Sequence, residues 1–149
     1  MNVGEVCSRV VVFAERDLPL TEAARLMRDH HVGSLVVVDD KGAGRLPVGV
    51  ITDRDIVVAV VAKEVDPRTV SAGEVMAPEP ALARETDSEL DVLRTMRRRG
   101  IRRMPVVDAE GRLVGLITLD DLLGLLAEEL GSLARTVETE QAAEARTRR

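Results

Sequence analysis

Two short stretches of the sequence place an aspartate three residues after a threonine, directly behind an aliphatic run. They are Gly49–Asp55 and Gly115–Asp121, and both follow the pattern Gly-h-h-Thr-x-x-Asp, in which h is aliphatic. The pattern predicts a strand that ends where a helix begins at the threonine. The first amides of a helix favour a phosphate, and a carboxylate one turn later can accept hydrogen bonds from a ribose diol. The candidate nucleotide-binding residues are Thr52 and Thr118 at the helix starts, and Asp55 and Asp121 at the ribose.

The same spacing also has a purely structural explanation. Thr-x-x-Asp is a capping-box signature, in which the two side chains satisfy free amides at a helix start without any ligand. From the residues alone, nucleotide binding and helix capping both stay open.

A cluster of arginines in the second half of the chain could bind phosphate. Arg97–Arg99 precede a predicted helix end, where cations favour the helix dipole, so they have a structural explanation. Arg102 and Arg103 enter the next strand, and only one of two adjacent strand residues can point into a given pocket. Arg54 lies inside the first Thr-x-x-Asp motif. Arg54, Arg102 and Arg103 are therefore phosphate candidates, although each also suits a solvated surface role.

Metal and catalytic chemistry are not indicated by the sequence. His30, His31 and Cys7 are scattered and lack the dense Cys/His spacing of a zinc site. The sequence contains no Ser-His-Asp or Cys-His set, no paired catalytic carboxylates and no glycine-rich phosphate loop. We expect a binding protein rather than an enzyme, with no metal site and no obligatory cofactor.

The sequence is internally repeated, and the repeat contains both motifs. Residues 48–56 return as residues 114–122, and Gly4-Glu5-Val6 returns as Gly73-Glu74-Val75. Self-similarity over nearly the whole chain predicts two units of one supersecondary type. Because so small a unit buries little surface, we expect an α/β fold of two pseudo-symmetric repeats packed face to face through their sheets. The cleft between them is the natural place for a ligand.

Each copy is predicted to have the element order β-α-β-β-α. The opening strands fall within Glu5–Phe13 and Glu74–Leu82, and the last helices cover Asp53–Ala62 and Leu119–Leu130. Between them we expect one hairpin in each copy, formed by Leu35–Val38 with Val48–Ile51 and by Met104–Val107 with Leu113–Ile117.

The first helix of each copy is predicted from apolar residues at helical spacing. These helices should end at Gly33 and Gly100. Past Leu130 the sequence is rich in Glu, Thr and Arg, so residues 132–149 are either a helical extension or a disordered polar tail. The residues that recur at helical spacing are Leu20, Ala23, Ala24 and Met27 in one helix, and Leu90, Leu93 and Met96 in the other.

Composition excludes several classes of function. The 149 residues are 45% hydrophobic but contain one aromatic residue, Phe13, which disfavours a stacking platform for single-stranded nucleic acid. The net charge of −5 gives no general attraction to DNA or anionic lipid. The longest apolar run, Ile56–Ala62, is too short to span a bilayer. With one cysteine and no signal-peptide pattern, we expect a cytoplasmic protein.

Residues 1–130 resemble a tandem pair of CBS domains, the Bateman module. The likeness rests on the β-α-β-β-α order, the Pro105–Asp108 strand and both Gly-h-h-Thr-x-x-Asp stretches. The stretch Ile51–Val57 is similar to the small stand-alone bacterial CBS-pair proteins, which include the actinobacterial hypoxic response proteins. The resemblance implies one CBS repeat in residues 1–65 and a second in residues 66–131.

The resemblance also implies a function, namely a non-catalytic module that senses ligands and regulates a partner. Pockets between the repeats would bind an adenosyl ligand such as AMP, ADP, ATP, NAD or S-adenosylmethionine, with Asp55 and Asp121 at the ribose. Val11, Val12 and Ala81 would flank the adenine.

The resemblance further implies a homodimer that signals to an effector protein of unknown identity. The alternative is a structural or interaction CBS pair with no bound nucleotide. A nucleic-acid-binding role for the Arg97–Arg103 cluster is disfavoured by the acidic net charge.

Overall fold

The computed structural model describes residues 1–148 and contains two β-sheets with helices packed on them. The first sheet has the strand order β1-β2-β3-β4, and the second has the order β5-β6-β7. The strands are β1 Phe13–Glu15, β2 Ser34–Asp40, β3 Arg45–Thr52, β4 Ala77–Pro78, β5 Ala83–Arg84, β6 Arg103–Val107 and β7 Leu113–Thr118. The helices are α1 Val3–Val6, α2 Leu20–His30, α3 Asp53–Ile56, α4 Ala72–Val75, α5 Glu89–Arg99 and α6 Leu119–Thr147.

The two halves repeat one topology, which confirms the predicted α/β fold. In the first half, β1 runs parallel to β2 across the α2 connection, and β2 pairs antiparallel with β3. In the second half, β5, β6 and β7 are arranged in the same way across α5. The inner faces of the strands form two hydrophobic clusters, one around Leu35 and Ile51 and the other around Met104 and Ile117. β3 of one sheet contacts β7 of the other, so the sheets meet at the middle of the molecule.

The opening segments differ from the sequence prediction. The structure has the short helices α1 and α4 at the start of these segments, and β1 begins only at Phe13. The strand predicted within Glu74–Leu82 is present as the two-residue β4. Each short helix begins with a capping box, in which Asn2 pairs with Glu5 and Ser71 pairs with Glu74. The two caps satisfy the first amides locally, which explains why these residues form helical turns.

The opening segments are also exchanged between the repeats. Val3 of α1 is fully buried in the cluster of the second repeat, whereas Ala72 of α4 is fully buried in the cluster of the first. Ser8 exchanges two backbone hydrogen bonds of 2.9 Å with Leu116. In the equivalent place β4 pairs with β3, and Ala77 lies opposite Val50. Each repeat therefore completes the sheet and the core of the other.

The buried faces of α2 and α5 contain only part of the residues at helical spacing. α2 buries Leu20, Ala23 and Met27, but Ala24 is exposed. α5 buries Val92 and Met96, whereas Leu90 and Leu93 are exposed. The spacing therefore predicts the helix correctly, but the periodicity alone does not say which residues face the sheet.

The helix ends agree with the prediction in one repeat only. α5 ends at Gly100, which has a φ of 65° and caps the helix with its N–H on the Met96 carbonyl. α2 ends two residues before the predicted Gly33, because His31 adopts the left-handed conformation with a φ of 53°. Its N–H bonds the carbonyls of Met27 and Arg28, so the last turn is closed without glycine.

The last helix of each repeat leaves an apolar surface. After α3, Val57–Val61 continue as a π-helix that buries Val60 and leaves Val57, Val58 and Val61 more than half exposed. α6 is one continuous helix of 29 residues, so the described part of the polar tail is a helical extension. No helix among the described residues combines the length and the apolar character needed to cross a membrane.

Candidate functional site

A cleft of about 600 Å³ lies between the two repeats, at the start of α3. The end of β3 and the start of α3 form one wall, and the residues after α4 form a second. The third wall is the turn from α5 into β6. The lining residues are Val50, Thr52, Asp53, Arg54, Asp55, Ala77, Pro78, Glu79, Pro80, Ala81, Arg99, Gly100, Ile101, Arg102, Arg103 and Pro105.

The cleft brings together most of the residues that the sequence singles out. Thr52 and Asp55 come from the first repeat, and Arg102 and Arg103 come from the second. Arg54 and Ala81 also line it. This arrangement cannot be read from neighbouring residues in the sequence. It involves the exchange of the opening segments, in which the segment Ala77–Ala81 of the second repeat crosses to β3.

Both Thr-x-x-Asp motifs form the capping boxes that their spacing allows. The Thr52 hydroxyl accepts a hydrogen bond of 3.1 Å from the Asp55 N–H, and Asp55 Oδ2 accepts one of 2.9 Å from the Thr52 N–H. Thr118 and Asp121 repeat these bonds at the same distances. The cap uses one carboxylate oxygen, which leaves Oδ1 available as an acceptor for another group.

The charges around the cleft favour an anionic group. Its lining includes four arginines and three carboxylates, and one of these carboxylates is partly used in the Asp55 cap. Arg102 also reaches Asp120, at 3.5 Å, in an exposed ion pair that a ligand can replace at low cost. Arg103 is half-buried at the start of β6, whereas Arg54, Arg99 and Arg102 are exposed.

The second Thr-x-x-Asp motif occupies the pseudo-symmetric position at the start of α6. Asp120 stands there where the first motif has Arg54, and Gly33-Ser34 occupy the places of Arg102-Arg103. The three phosphate candidates line the cleft of the first motif, which does not include Asp121. Arg103 also lies opposite Thr118 in the pairing of β6 with β7, and the Arg102 carbonyl accepts a hydrogen bond from the Leu119 N–H.

Two of the three adenine candidates lie outside the first cleft. Val11 and Val12 come shortly after Ser8 in the chain. Ser8 pairs with Leu116 of β7, which belongs to the second motif. The Val12 carbonyl accepts a hydrogen bond from the Val36 N–H, and its side chain packs against the first hydrophobic cluster. Of the three adenine candidates, only Ala81 lines the cleft that contains Asp55.

Sequence reasoning missed several residues of the cleft. Arg99 was assigned only to the dipole of α5, yet it lines the cleft beside Gly100. Glu79 has a φ of 51°, and this uncommon backbone conformation turns the chain between Pro78 and Pro80. The internal repeat could have indicated Glu79, because the next residue, Pro80, is equivalent to the predicted Val11.

The other reactive residues form no centre among the described residues. No group of three or more His, Cys, Asp or Glu lies close enough together within residues 1–148 to hold a metal ion. Cys7 is half-buried, and this burial raises the pKa of its thiol above the ordinary value, so the thiolate is disfavoured. The geometry fits binding rather than bond cleavage.

Comparison with known proteins identifies the family. The model of the CBS domain matches this chain twice, over residues 3–62 and 72–128. The chain belongs to the CBS-domain family. It is a CBS pair, which is a regulatory and non-catalytic module, and the resemblance seen in the sequence is confirmed.

Relatives of this CBS pair occur in bacteria and archaea. Hypoxic response protein 1 of Mycobacterium tuberculosis is 37% identical over 128 residues, which are 86% of this chain and 82% of that protein. Uncharacterized protein MK0525 of Methanopyrus kandleri is 38% identical over 124 residues, or 83% of this chain. The match spans 61% of the length of the Methanopyrus protein.

Solved structures of CBS proteins have the same fold. The CBS pair of protein MJ0100, in complex with 5′-methylthioadenosine and S-adenosylmethionine, matches with a TM-score of 0.75 at 28% identity, covering 87% of this chain and 98% of that one. Hypoxic response protein I with two coordinated zinc ions matches with a TM-score of 0.73 at 31% identity, covering 83% and 97%. A hexameric CBS-CP12 protein from bloom-forming cyanobacteria matches with a TM-score of 0.71 at 27% identity. The match covers 83% of this chain and 69% of that one.

Proposed function

We propose that this CBS pair senses an adenosyl ligand in the cleft at the start of α3. The observation that carries the proposal is the meeting of Thr52 and Asp55 with Arg102 and Arg103 in one cleft. The free oxygen of Asp55 would accept hydrogen bonds from the ribose, and the arginines would bind phosphate. The adenosyl compounds bound by the MJ0100 pair support this chemistry.

The proposed mechanism is a population shift between arrangements of the two repeats. The cleft has walls from both repeats, so a ligand that fills it contacts both of them. It therefore stabilises the arrangement in which the walls are closest, by its difference in affinity for the two states. The change would be passed to an effector protein or to the association of two copies.

The test is a titration of the wild-type chain with AMP, ATP, NAD and S-adenosylmethionine. Isothermal calorimetry should show binding of at least one of these compounds after any co-purified ligand has been removed by unfolding and refolding. Absence of heat and of any thermal stabilisation with all four would favour the alternative, a structural module whose Thr-x-x-Asp motifs only cap helices.

Replacement of Arg103 by alanine should distinguish the binding of the phosphate from the binding of the rest of the ligand. We expect roughly tenfold weaker binding of ATP, because a charge-assisted hydrogen bond to phosphate is lost. S-adenosylmethionine has no phosphate, so its affinity should change little. Calorimetry with both ligands measures the difference. Arg98→Ala is the matched control, since Arg98 is exposed on α5 and does not line the cleft; equal losses in the two variants would contradict the assignment.

We also propose that the protein forms a homodimer through its exposed apolar helices. Val57, Val58 and Val61 of the π-helix and Leu123 and Leu126 of α6 are each at least half exposed. Large exposed apolar side chains on two helices favour an interface, because extended apolar patches usually mark interaction sites. The oligomers of CBS relatives, such as the cyanobacterial hexamer, support self-association.

Replacement of Val61 by aspartate should weaken this dimer roughly tenfold, because it places a charge in an apolar contact. Sedimentation equilibrium at micromolar concentration measures the dissociation constant. Val10→Asp is the control, since Val10 is an exposed valine in the segment before β1 and lies outside these helices. A wild-type protein that sediments only as a monomer would refute the proposed dimer.

A further inference from the structure

The second half of α6 extends beyond the CBS pair. The family match ends at residue 128, whereas the helix continues to Thr147. Three large apolar side chains of this stretch are exposed, namely Leu130 at 58%, Leu133 at 65% and Val137 at 51%. Leu133 and Val137 therefore lie on the part of α6 that projects past the repeats, and their side chains are uncovered there.

The apolar residues of α6 have the spacing of a coiled coil. Six of them, from Leu119 to Val137, follow one another at alternating intervals of four and three residues, so this set repeats every 3.5 residues on average. Leu122 lies beside this set and is buried in the second hydrophobic cluster, against which Leu119 also packs. A helix that packs on a globular core usually has a broader stripe at a period of 3.6. The spacing thus fits another helix with the same repeat. We call this stripe the α6 seam, and its members are Leu119, Leu123, Leu126, Leu130, Leu133 and Val137.

The flanks of the α6 seam allow a second copy of this chain to approach. The flanking positions, e and g of the heptad, are small or uncharged at Ala127, Ala134, Thr136 and Gln141. Glu129 is the charged exception between Leu122 and Gln141. Two identical seams therefore meet with little like-charge repulsion at the positions that set partner choice in coiled coils.

Energetics also require a partner for this stretch. An isolated helix is marginal in water, and most of the stability of a protein helix comes from packing of its apolar side. The α6 seam is about 27 Å long at 1.5 Å per residue, long enough for several interdigitated layers. A two-fold axis brings the same surface of both copies together, so a second copy supplies a seam of matching length and spacing.

We propose that the α6 seam forms a two-helix coiled coil with the α6 seam of a second copy. The proposal rests on the proposed homodimer and extends its interface past the repeats, from Leu126 to Val137. In this arrangement the apolar surface of the projecting helix is buried, and the extension holds the two CBS pairs together.

The test compares two full-length double variants. Leu133→Asp with Val137→Asp places two charges in the seam, whereas Ala142→Asp with Ala145→Asp places the same two charges on exposed positions of the same helix that face away from it. We expect the seam variant to raise the dimer dissociation constant about 100-fold in sedimentation equilibrium. We expect the control variant to match the wild type.

Circular dichroism at 222 nm gives a second readout. The seam variant should lose helical signal relative to the control variant at the same concentration, because the unpartnered extension frays. An unchanged dissociation constant in the seam variant, or equal losses in both variants, would overturn the proposal. A monomeric wild type would also overturn it and would point to a helix of another protein as the partner.

A calorimetric titration with AMP separates this proposal from the proposed ligand site. The seam variant should bind AMP as the wild type does, because the cleft residues lie in other elements. If the seam variant loses association while no nucleotide binds to the wild type, the coiled coil stands and the ligand proposal fails. If the wild type binds nucleotide and the seam variant associates as the wild type does, the ligand proposal stands and the coiled coil fails.

Discussion

Replacement of Asp55 by asparagine should weaken the binding of an adenosine nucleotide roughly 10- to 150-fold, which corresponds to the loss of a charge-assisted hydrogen bond. The asparagine carbonyl can still accept the hydrogen bond that Thr52 N–H now donates to Asp55 Oδ2, so the helix cap is kept. The amide nitrogen, however, cannot accept a bond from a ribose hydroxyl. Calorimetry with AMP measures the affinity, and chemical denaturation shows whether the fold is intact.

Asp121→Asn is the matched control for this experiment. Asp121 forms the same cap with Thr118, but it does not line the cleft that contains Asp55 and the four arginines. The variant should therefore change AMP affinity much less than Asp55→Asn does. If both variants keep full affinity for a nucleotide that the wild type binds, the aspartates serve only as caps and the ligand lies elsewhere.

Replacement of Gly49 by alanine should lower the free energy of unfolding by about 1–3 kcal/mol, the usual cost of overpacking. A Cβ at Gly49 would stand 2.9 Å from the Ala77 carbonyl oxygen and would also collide with the Met76 side chain. Since Gly49 pairs with Pro78, the methyl group would push β4 away from β3. Urea denaturation at fixed protein concentration measures the change.

Gly124→Ala tests whether this loss comes from the close contact. Gly124 lies in α6 with no atom within 4 Å of a built Cβ, so alanine should stabilise the helix by about 0.5–1 kcal/mol. A stable Gly49→Ala variant would show that β4 can move without cost, and that the exchanged segment contributes little to the fold.

The sequence predicts the local parts of this fold well. The doubled motif, the two hairpins and the Gly100 cap follow from short-range patterns, and the structure contains all of them. Each depends on residues that are neighbours along the chain, where turn chemistry and alternation decide the conformation. For the same reason, the Thr-x-x-Asp spacing predicts both capping boxes.

The long-range parts could not be predicted from one sequence. That α1 packs in the second cluster and α4 in the first is a tertiary choice between two similar surfaces, which a local pattern does not encode. On α5, Leu90 and Leu93 are three residues apart and Val92 and Met96 are four residues apart, and both spacings are helical. The composition of the cleft is also long-range, because Ala81 follows the exchanged segment and Arg103 comes from β6 of the other repeat.

The exchange of opening segments also bears on how such a chain can arise by duplication. A chain with a single repeat would lack a partner for its opening helix, and its own cluster would lack the Val3 or Ala72 that fills it here. Two such chains could complete each other by trading these segments, as domain-swapped dimers do. Fusion of two copies of the gene would keep every contact of that dimer. The two-fold axis between the chains would become a pseudo-two-fold axis within one chain. The two motifs then became free to diverge, so that Arg54 in one stands where Asp120 stands in the other.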